Sequence, residues 1–193
     1  MTSELSDKAY DLLHQVRLRG FVPAANNAVE GELAEAGLVV LRGTNVALTP
    51  PGRDAHAVWA RLPEGSAEET VARSTYDRFT PMNIALLKIC TAWQLRDDGT
   101  PNDHADRAYD FQVLERLDKL HARIAPLVNR LGEAVPRFSD YPARLASALE
   151  KIDKDRQWMA SPRCDSYHTV WMQMHEDLLG AIGADRADEP EPE

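Results

Sequence analysis

The stretch that most constrains the fold is LVVLRGTNVALTPPG, residues 38–52. Two short apolar and β-branched runs, residues 38–41 and 46–48, flank Arg42-Gly43-Thr44-Asn45, whose Gly and Asn suit a tight turn. Thr49 and the two prolines after it end the second run and provide the cap and first turn of a helix that extends to about residue 61. The sequence therefore predicts a small β-hairpin followed at once by a helix.

Helical patterns lie on both sides of this hairpin. Apolar residues recur at three- and four-residue steps over residues 5–19, with Ser6 as the N-cap, and residues 22–36 favour one or two short helices ending at Gly37. Five further helices are predicted at residues 67–79, 81–95, 102–135, 142–159 and 166–182. Pro126 is expected to kink or split the third of these.

The chain divides at Pro63-Glu64-Gly65-Ser66, a stretch typical of a linker. We expect an N-terminal module of residues 1–62, a helical domain of residues 63–183, and a disordered acidic tail of residues 184–193. The formal charge of −9 argues against a general polyanion binder. Residues 1–62 hold 6 Lys and Arg against 7 Asp and Glu, and residues 63–193 hold 16 against 24, so any contact with nucleic acid must come from a local patch.

Cysteine content and hydropathy indicate the compartment. Cys90 and Cys164 are too few and too isolated for a secreted disulfide framework or a Cys-rich zinc site. The chain shows no basic start followed by an apolar run, and no stretch approaches about 18 continuous apolar residues. We therefore expect a cytoplasmic protein with no membrane partner.

The segments LAEAGLV (33–39) and LTPPGR (48–53) resemble those of the MarR-like winged-helix transcriptional regulators. In that family Leu-x-x-x-Gly-Leu-Val closes the recognition helix and opens the wing, and Leu-Thr-x-x-Gly-Arg closes the wing and starts the next helix. The likeness covers residues 8–60, about a third of the chain. It implies a truncated winged-helix module with a small β-hairpin. Together with the helices predicted after residue 66, this gives a mainly α fold in which that module precedes an all-helical domain.

The resemblance also implies binding of duplex DNA by a homodimer, with the recognition helix in the major groove and a basic wing tip on the minor groove or backbone. The candidate DNA-binding residues are Arg17, Arg19, Arg42 and Arg53. Only 17 residues separate Gly20 from Leu38, so one helix of the helix-turn-helix must be very short. The segment that should read DNA carries three Glu, and no Lys or Arg occurs between Arg19 and Arg42.

Two alternatives stay open for this module. Either some DNA contact is retained through the four arginines, or the DNA-reading surface is lost and the module serves dimerisation or docking.

The last predicted helix carries four of the six candidate ligand-binding residues. His168, Trp171 and His175 share one face with Leu178 and Ile182, so both histidines should point inward or into a pocket. The segment ICTAWQLR could form a facing wall, and an apolar or acidic small molecule would suit such a site. The predicted ligand-binding residues are Trp93, Arg96, Tyr167, His168, Trp171 and His175; the competing interpretation is that they form the core.

Enzyme chemistry has little support in the sequence. His168 and His175 lie about 10.5 Å apart along a helix, too far to share one ion, so a metal site would need His121 or the Asp103-His104 region. The clusters NDHAD and CDSYH are better explained as helix caps through Asn102 or Asp103 and through Asp165 or Ser166. No phosphate-binding loop, nucleophile elbow or dinucleotide fingerprint occurs. We expect no enzyme activity, no cofactor and no metal, with a metal-dependent enzyme as the alternative.

The sequence thus predicts a winged-helix transcriptional-regulator-like protein with a helical domain for small-molecule sensing or dimerisation. The alternative is a ligand-binding or protein-interaction module that reuses a degenerate winged helix without binding DNA.

Overall fold

The computed structural model describes residues 5–184. Its fold is mainly helical with a small antiparallel sheet, as the sequence predicts. The elements of the N-terminal module are α1 Asp7–Arg19, β1 Val22–Pro23, α2 Ala28–Glu35, β2 Val39–Arg42, β3 Asn45–Leu48 and α3 Pro50–Ala60. The helical domain contains α4 Ala67–Gln94, α5 Arg107–Ala134, a 3₁₀ turn Pro136–Phe138, α6 Tyr141–Ile152, α7 Gln157–Ala160 and α8 Tyr167–Ile182.

The predicted hairpin is confirmed. β2 pairs with β3 in antiparallel register, with Arg42 opposite Asn45, and β1 adds to the free edge of β3 to give the order β1-β3-β2. Thr49 caps α3 by accepting the N–H of Gly52 at 3.1 Å. A side chain at Gly52 would place its Cβ 1.9 Å from the carbonyl oxygen of Leu38, so close packing of α3 against the start of the hairpin requires glycine there.

A single helix, α2, occupies the segment between β1 and β2. Asn27 caps it, and Glu30 is buried with its carboxylate accepting the N–H groups of Ala25 at 2.8 Å and Asn26 at 2.7 Å. Glu30 therefore satisfies backbone donors at the start of the helix. Only Glu32 and Glu35 of the three predicted acidic residues are exposed.

The two long helices of the second domain differ from prediction. α4 runs through Pro81 and α5 runs through Pro126, where the sequence predicted a break and a kink or split. A proline removes one backbone hydrogen bond, but the two helices pack along each other and bury side chains on both sides of each proline, including Phe79, Met82 and Ile124. Tertiary packing offsets the local cost.

Two predicted boundaries were also wrong. α5 begins at Arg107, not at residue 102, and Asp106 caps it by accepting the N–H groups of Ala108 and Tyr109. Asn102 is buried and bonds to Asp110 and to the carbonyl of Trp93, so it is not available as a cap. The helix predicted over residues 142–159 is two helices, because α6 ends at Ile152 before a turn.

The last helix is confirmed, with Ser166 as its cap and Gly183 at its end. α8 is the centre of the fold: α4 and α6 pack against it within the helical domain, and α1 and α3 of the N-terminal module also pack against it. Within residues 5–184 no helix is both long and apolar enough to span a membrane. The predicted acidic tail lies outside the described residues except for Ala184.

Candidate functional site

A cleft of about 560 Å³ lies between the N-terminal module and the helical domain. One wall is the end of α1 with the residues after it, and the other is the loop before α8 with the first turns of α8. The lining residues are Arg17, Leu18, Arg19, Phe21, Pro162, Arg163, Cys164, Asp165, His168, Thr169, Met172, Gln173 and Glu176. We call this the interdomain cleft. It is within the size range of small-molecule sites.

The charges of the interdomain cleft are partly compensated. The Arg17 guanidinium on one wall bonds to the Glu176 carboxylate on the other, so an ion pair joins the two modules. Asp165 pairs with Arg144 of α6 at 3.2 Å. Arg19 and Arg163 are exposed, one on each wall, and neither pairs with a carboxylate among the described residues. The cleft therefore holds a net positive charge on a chain whose total is −9.

His168 is the one predicted ligand-binding residue that lines this cleft. It is half-buried, and burial lowers the pKa of its imidazole below the ordinary value of 6.5. The ring is therefore neutral at pH 7 and offers one donor and one acceptor. Phe21, which is 58 % exposed, and Met172 add apolar surface to the cleft.

Arg17, Arg42 and Arg53, three of the predicted DNA-binding residues, line a second, smaller cavity of about 220 Å³. We call it the arginine groove; Val16, Gly20, Ala47 and Leu48 complete its lining, which contains no carboxylate. Arg53 is steadied by a 3.4 Å hydrogen bond to the carbonyl of Leu48. Arg19 lines the interdomain cleft, and Arg17 lines both cavities.

The arginine groove and the hollow beside the acidic helix α2 are lined by different residues. Leu41 lines the hollow together with the α2 residues Glu30 and Ala34, whereas the next residue, Arg42, lines the arginine groove. The three arginines are thus gathered at a cavity that contains no residue of α2, the segment expected to read DNA.

A buried polar network joins the two modules beside the cleft. His14 of α1 is 3.0 Å from His56 of α3 and 3.3 Å from Asp177 of α8. The Asp177 carboxylate, which is fully buried, also accepts a 2.8 Å bond from Arg137. The Trp59 ring packs against both imidazoles, with its centroid 5.5 Å from that of His14 and 5.7 Å from that of His56. We call His14, His56, Arg137 and Asp177 the interface network.

Burial and the His14 imidazole together lower the pKa of His56 from 6.5 to about 4. His56 is therefore neutral at pH 7. Burial and the Asp177 charge raise the pKa of Tyr141 far above its ordinary value, so the phenol stays protonated and its hydroxyl donates to Asp177 at 3.4 Å. Asp177 is the acceptor on which groups from two helices, α1 and α6, and from the 3₁₀ turn converge.

Three of the predicted ligand-binding residues lie in the core of the helical domain. Tyr167 and Trp171 are fully buried, and His175 is 1 % exposed. The Trp171 indole donates to Asn83 at 3.0 Å and stacks on Phe79, which also contacts His175. These positions agree with the competing interpretation of the stripe as core.

Trp93 and Arg96 lie elsewhere, at the end of α4. Trp93 is buried against His104 with ring centroids 4.5 Å apart, and the Arg96 guanidinium lies 4.4 Å above the Tyr109 ring. His104 contacts the Asp110 carboxylate at 3.0 Å. Burial raises the pKa of Asp110, but the hydrogen bonds from Asn102 and His104 outweigh this and leave it lower than usual. This cluster fastens the loop before α5.

The residues named for a metal site have separate surroundings. His121 faces the Tyr167 hydroxyl at 3.2 Å, His104 contacts Asp110, His168 lines the cleft and His175 lies in the core. Within residues 5–184, no three His, Cys, Asp or Glu side chains form a group that could hold a metal ion. The geometry gives the metal-dependent alternative no support.

Sequence reasoning missed several residues of the cleft and all of the interface network. Phe21, Arg163 and Met172 carry no local signal because they meet only through packing of the two modules. His14 and His56 each stand on a predicted helix, but they are 42 residues apart in sequence, and Asp177 is more distant still. A single sequence contains nothing that pairs them.

No protein family, no curated protein and no solved structure matches this chain. The resemblance of residues 8–60 to the MarR-like regulators therefore stays a prediction, and a function is inferred from the geometry of the chain itself.

Proposed function

We propose that this chain is a ligand-binding protein that holds a small molecule in the interdomain cleft. The observation that carries the proposal is that the cleft is lined from both modules, with Arg17, Arg19 and Phe21 facing the loop before α8 and the side chains of α8. A molecule in the cleft contacts both modules at once. Its affinity then depends on how they are placed, which is the requirement for a ligand to change a conformational equilibrium.

Other features support a ligand-binding protein over a duplex reader of the ordinary winged-helix kind. The module has the β-hairpin expected for a winged helix, but a single helix occupies the segment where a helix-turn-helix would have two, and Glu32 and Glu35 on that helix are exposed. Carboxylates facing phosphates are repelled. This favours the prediction of a degenerate winged helix.

The test uses Cys164 as an anchor, because its thiol lines the cleft and is partly exposed. Thiol-containing fragments are offered under mild reductant, and those retained as disulfides are counted by mass spectrometry. Cys90 does not interfere, because burial raises the pKa of its thiol to about 11. We expect Cys164 to retain a small, reproducible subset of fragments.

The matched control is Cys164→Ser combined with Lys119→Cys, since the Lys119 side chain is 69 % exposed on α5. An exposed thiol with no cleft beside it should retain fragments according to their reactivity alone. If the two proteins retained the same fragments in the same proportions, the cleft would have no binding role.

A second candidate function is binding of duplex DNA by a regulator-like protein, and the arginine groove favours it. Arg17, Arg42 and Arg53 converge on a cavity whose lining contains no carboxylate, and Arg19 lines the adjoining interdomain cleft. Arg17 is bonded to Glu176, but Arg19, Arg42 and Arg53 make no ion pair within residues 5–184 and can neutralise phosphates even on an acidic chain. Because Arg17 lines both cavities, a ligand in the cleft would act directly on this contact.

Binding of a fluorescent duplex, measured at about 50 mM and about 200 mM salt, tests this second function. Arg42→Glu and Arg53→Glu should each weaken binding and reduce its salt dependence, because each removes a phosphate contact. Arg123→Glu, on the exposed face of α5, is the control for the change in net charge. Equal effects of all three substitutions would show that only overall charge matters and that the groove has no role.

A further inference from the structure

The interdomain cleft contains positive charge that the protein itself does not neutralise. Arg19 on the end of α1 and Arg163 in the loop before α8 make no ion pair with any carboxylate in residues 5–184. They belong to opposite walls of one cavity. Two arginines that face a cavity from two sides are a suitable arrangement for an anionic group between them.

The carboxylates of the cleft are not available to cancel this charge. Glu176 is bonded to Arg17, and Asp165 is bonded to Arg144. The surplus is local, since the chain as a whole carries −9. An anion that reaches the cleft meets attraction there and repulsion over most of the remaining surface.

Apolar surface lies in the same cavity as the arginines. Phe21 is 58 % exposed although it lines a concave site, and Met172 and Pro162 face it from the other wall. The His168 ring, which lines the same cavity, is kept neutral by burial, because burial lowers its pKa. Apolar side chains with a few placed polar groups are the usual composition of a small-molecule site.

We infer that the cleft takes an organic anion with an apolar body, its acidic group between Arg19 and Arg163 and its body against Phe21 and Met172. This rests on the proposed function and specifies its ligand. Small inorganic anions and neutral apolar compounds should both be poor ligands. An inorganic anion contacts only the arginine half of the site, and a neutral apolar compound contacts only the half formed by Phe21 and Met172.

Two fluorescent probes separate these halves. 1-Anilinonaphthalene-8-sulfonate carries an anionic group on an aromatic body, and N-phenyl-1-naphthylamine has nearly the same body without the charge. We expect the sulfonate to bind about tenfold or more tightly than the neutral amine. Decanoate should displace it, and inorganic phosphate at the same concentration should not. Equal affinity for the two probes would overturn the inference.

Substitutions then locate the charge that matters. Arg19→Met and Arg163→Met should each weaken sulfonate binding about tenfold and leave binding of the neutral amine nearly unchanged. Arg116→Met, on the exposed face of α5, is the matched control and should have no effect. A loss as large in the control as in the cleft variants would also overturn the inference.

Cys164 provides a local readout that does not depend on fluorescence. Iodoacetate and iodoacetamide alkylate the same thiolate, so any change in the thiol pKa alters both rates equally. The rate with anionic iodoacetate divided by the rate with neutral iodoacetamide therefore reports the charge felt by the reagent. At low salt this ratio should fall several-fold in Arg163→Met and stay constant in Arg116→Met. A ratio unchanged in the Arg19→Met and Arg163→Met double variant would contradict a cationic cleft.

The two levels of the proposal fail in different ways. If both naphthalene probes protect Cys164 from iodoacetamide equally well, the cleft binds ligands but the ligand class is wrong. If neither probe protects Cys164 and fragment tethering shows no selectivity, the cleft is not a ligand site and the proposed function fails with the inference.

Discussion

The two parts of this chain are stabilised in different ways. The helical domain has a core of 27 buried apolar residues, six of them aromatic. The core of the N-terminal module contains eight, and none is aromatic. A module of about 60 residues with so small a core is marginal by itself. Its docking on α8 through the interface network supplies interactions that its own core lacks.

This difference bears on function. An element whose stability depends on a polar interface can change its position when that interface is altered, whereas an element fixed by a large aromatic core cannot. The interdomain cleft and the interface network lie along the same junction, where Arg17–Glu176 and His14–Asp177 both join α1 to α8. A ligand in the cleft therefore acts where the structure is most responsive.

The largest effect is expected from Trp171→Ala in the core of the helical domain. Trp171 is fully buried and its indole bonds to Asn83, so truncation leaves a cavity and an unpaired amide oxygen. We expect a loss of about 4 kcal/mol in the free energy of unfolding, measured by urea denaturation. Trp158→Ala, at a partly exposed position, should cost much less. Similar losses would remove the distinction between core and periphery.

Asp177→Asn is the direct way to break the junction. It preserves shape but removes the carboxylate that Arg137 and His14 contact, at an expected cost of about 3 kcal/mol. Amide hydrogen exchange should accelerate most in α1 and β3, ahead of α5. Asp97→Asn, at an exposed position, is the control. Uniform acceleration across both modules would show that they unfold as one unit.

His56 should make the junction sensitive to acid. The pKa of His56 is about 4 in the folded protein and 6.5, the ordinary value for histidine, in the unfolded chain. Between these two pH values the unfolded chain therefore binds more protons than the folded protein. Protons then favour unfolding, and stability falls as pH drops from about 6.5 to 4, by about 3 kcal/mol in total.

Urea denaturation across this pH range, with His56→Gln as the comparison, isolates that contribution. His14, Asp177, Arg17 and Arg137 are the charged or titratable groups that influence His56, and all remain in the variant. We expect the wild-type curve to be steeper below pH 6.5 and parallel above pH 7. Parallel curves throughout would show that His56 does not titrate as proposed.

The smallest effect is expected within the N-terminal module. Glu30→Gln weakens the bonds to the Ala25 and Asn26 N–H groups by removing the charge, which should cost about 1 kcal/mol. Exposed Glu32→Gln is the control and should be neutral. If the two variants were equally stable, the buried carboxylate would not contribute to the module.

The hairpin, its turn and the caps of α1, α3 and α8 could be predicted because each depends on neighbouring residues, such as Thr49 before its prolines. The continuity of α4 through Pro81 could not, since it depends on packing against α5. The same limit applies to the site. His168 was predicted as a ligand-binding residue from helical spacing, and it lines the cleft. Arg17, Arg42 and Arg53 were predicted as DNA-binding residues from their charge, and the structure brings these three arginines together. Arg163, His14 and Asp177 acquire their partners only through docking of the modules.

The central claim is that a ligand in the cleft bridges the two modules. The most direct measurement is hydrogen exchange on protein carrying a fragment retained at Cys164, compared with the same protein after the fragment is released by reduction. Slower exchange is expected on the opposite wall, in residues 17–22, as well as in residues 162–176 around the anchor. Protection confined to residues 162–176 would contradict the claim, because the fragment would then lie on α8 without reaching the N-terminal module.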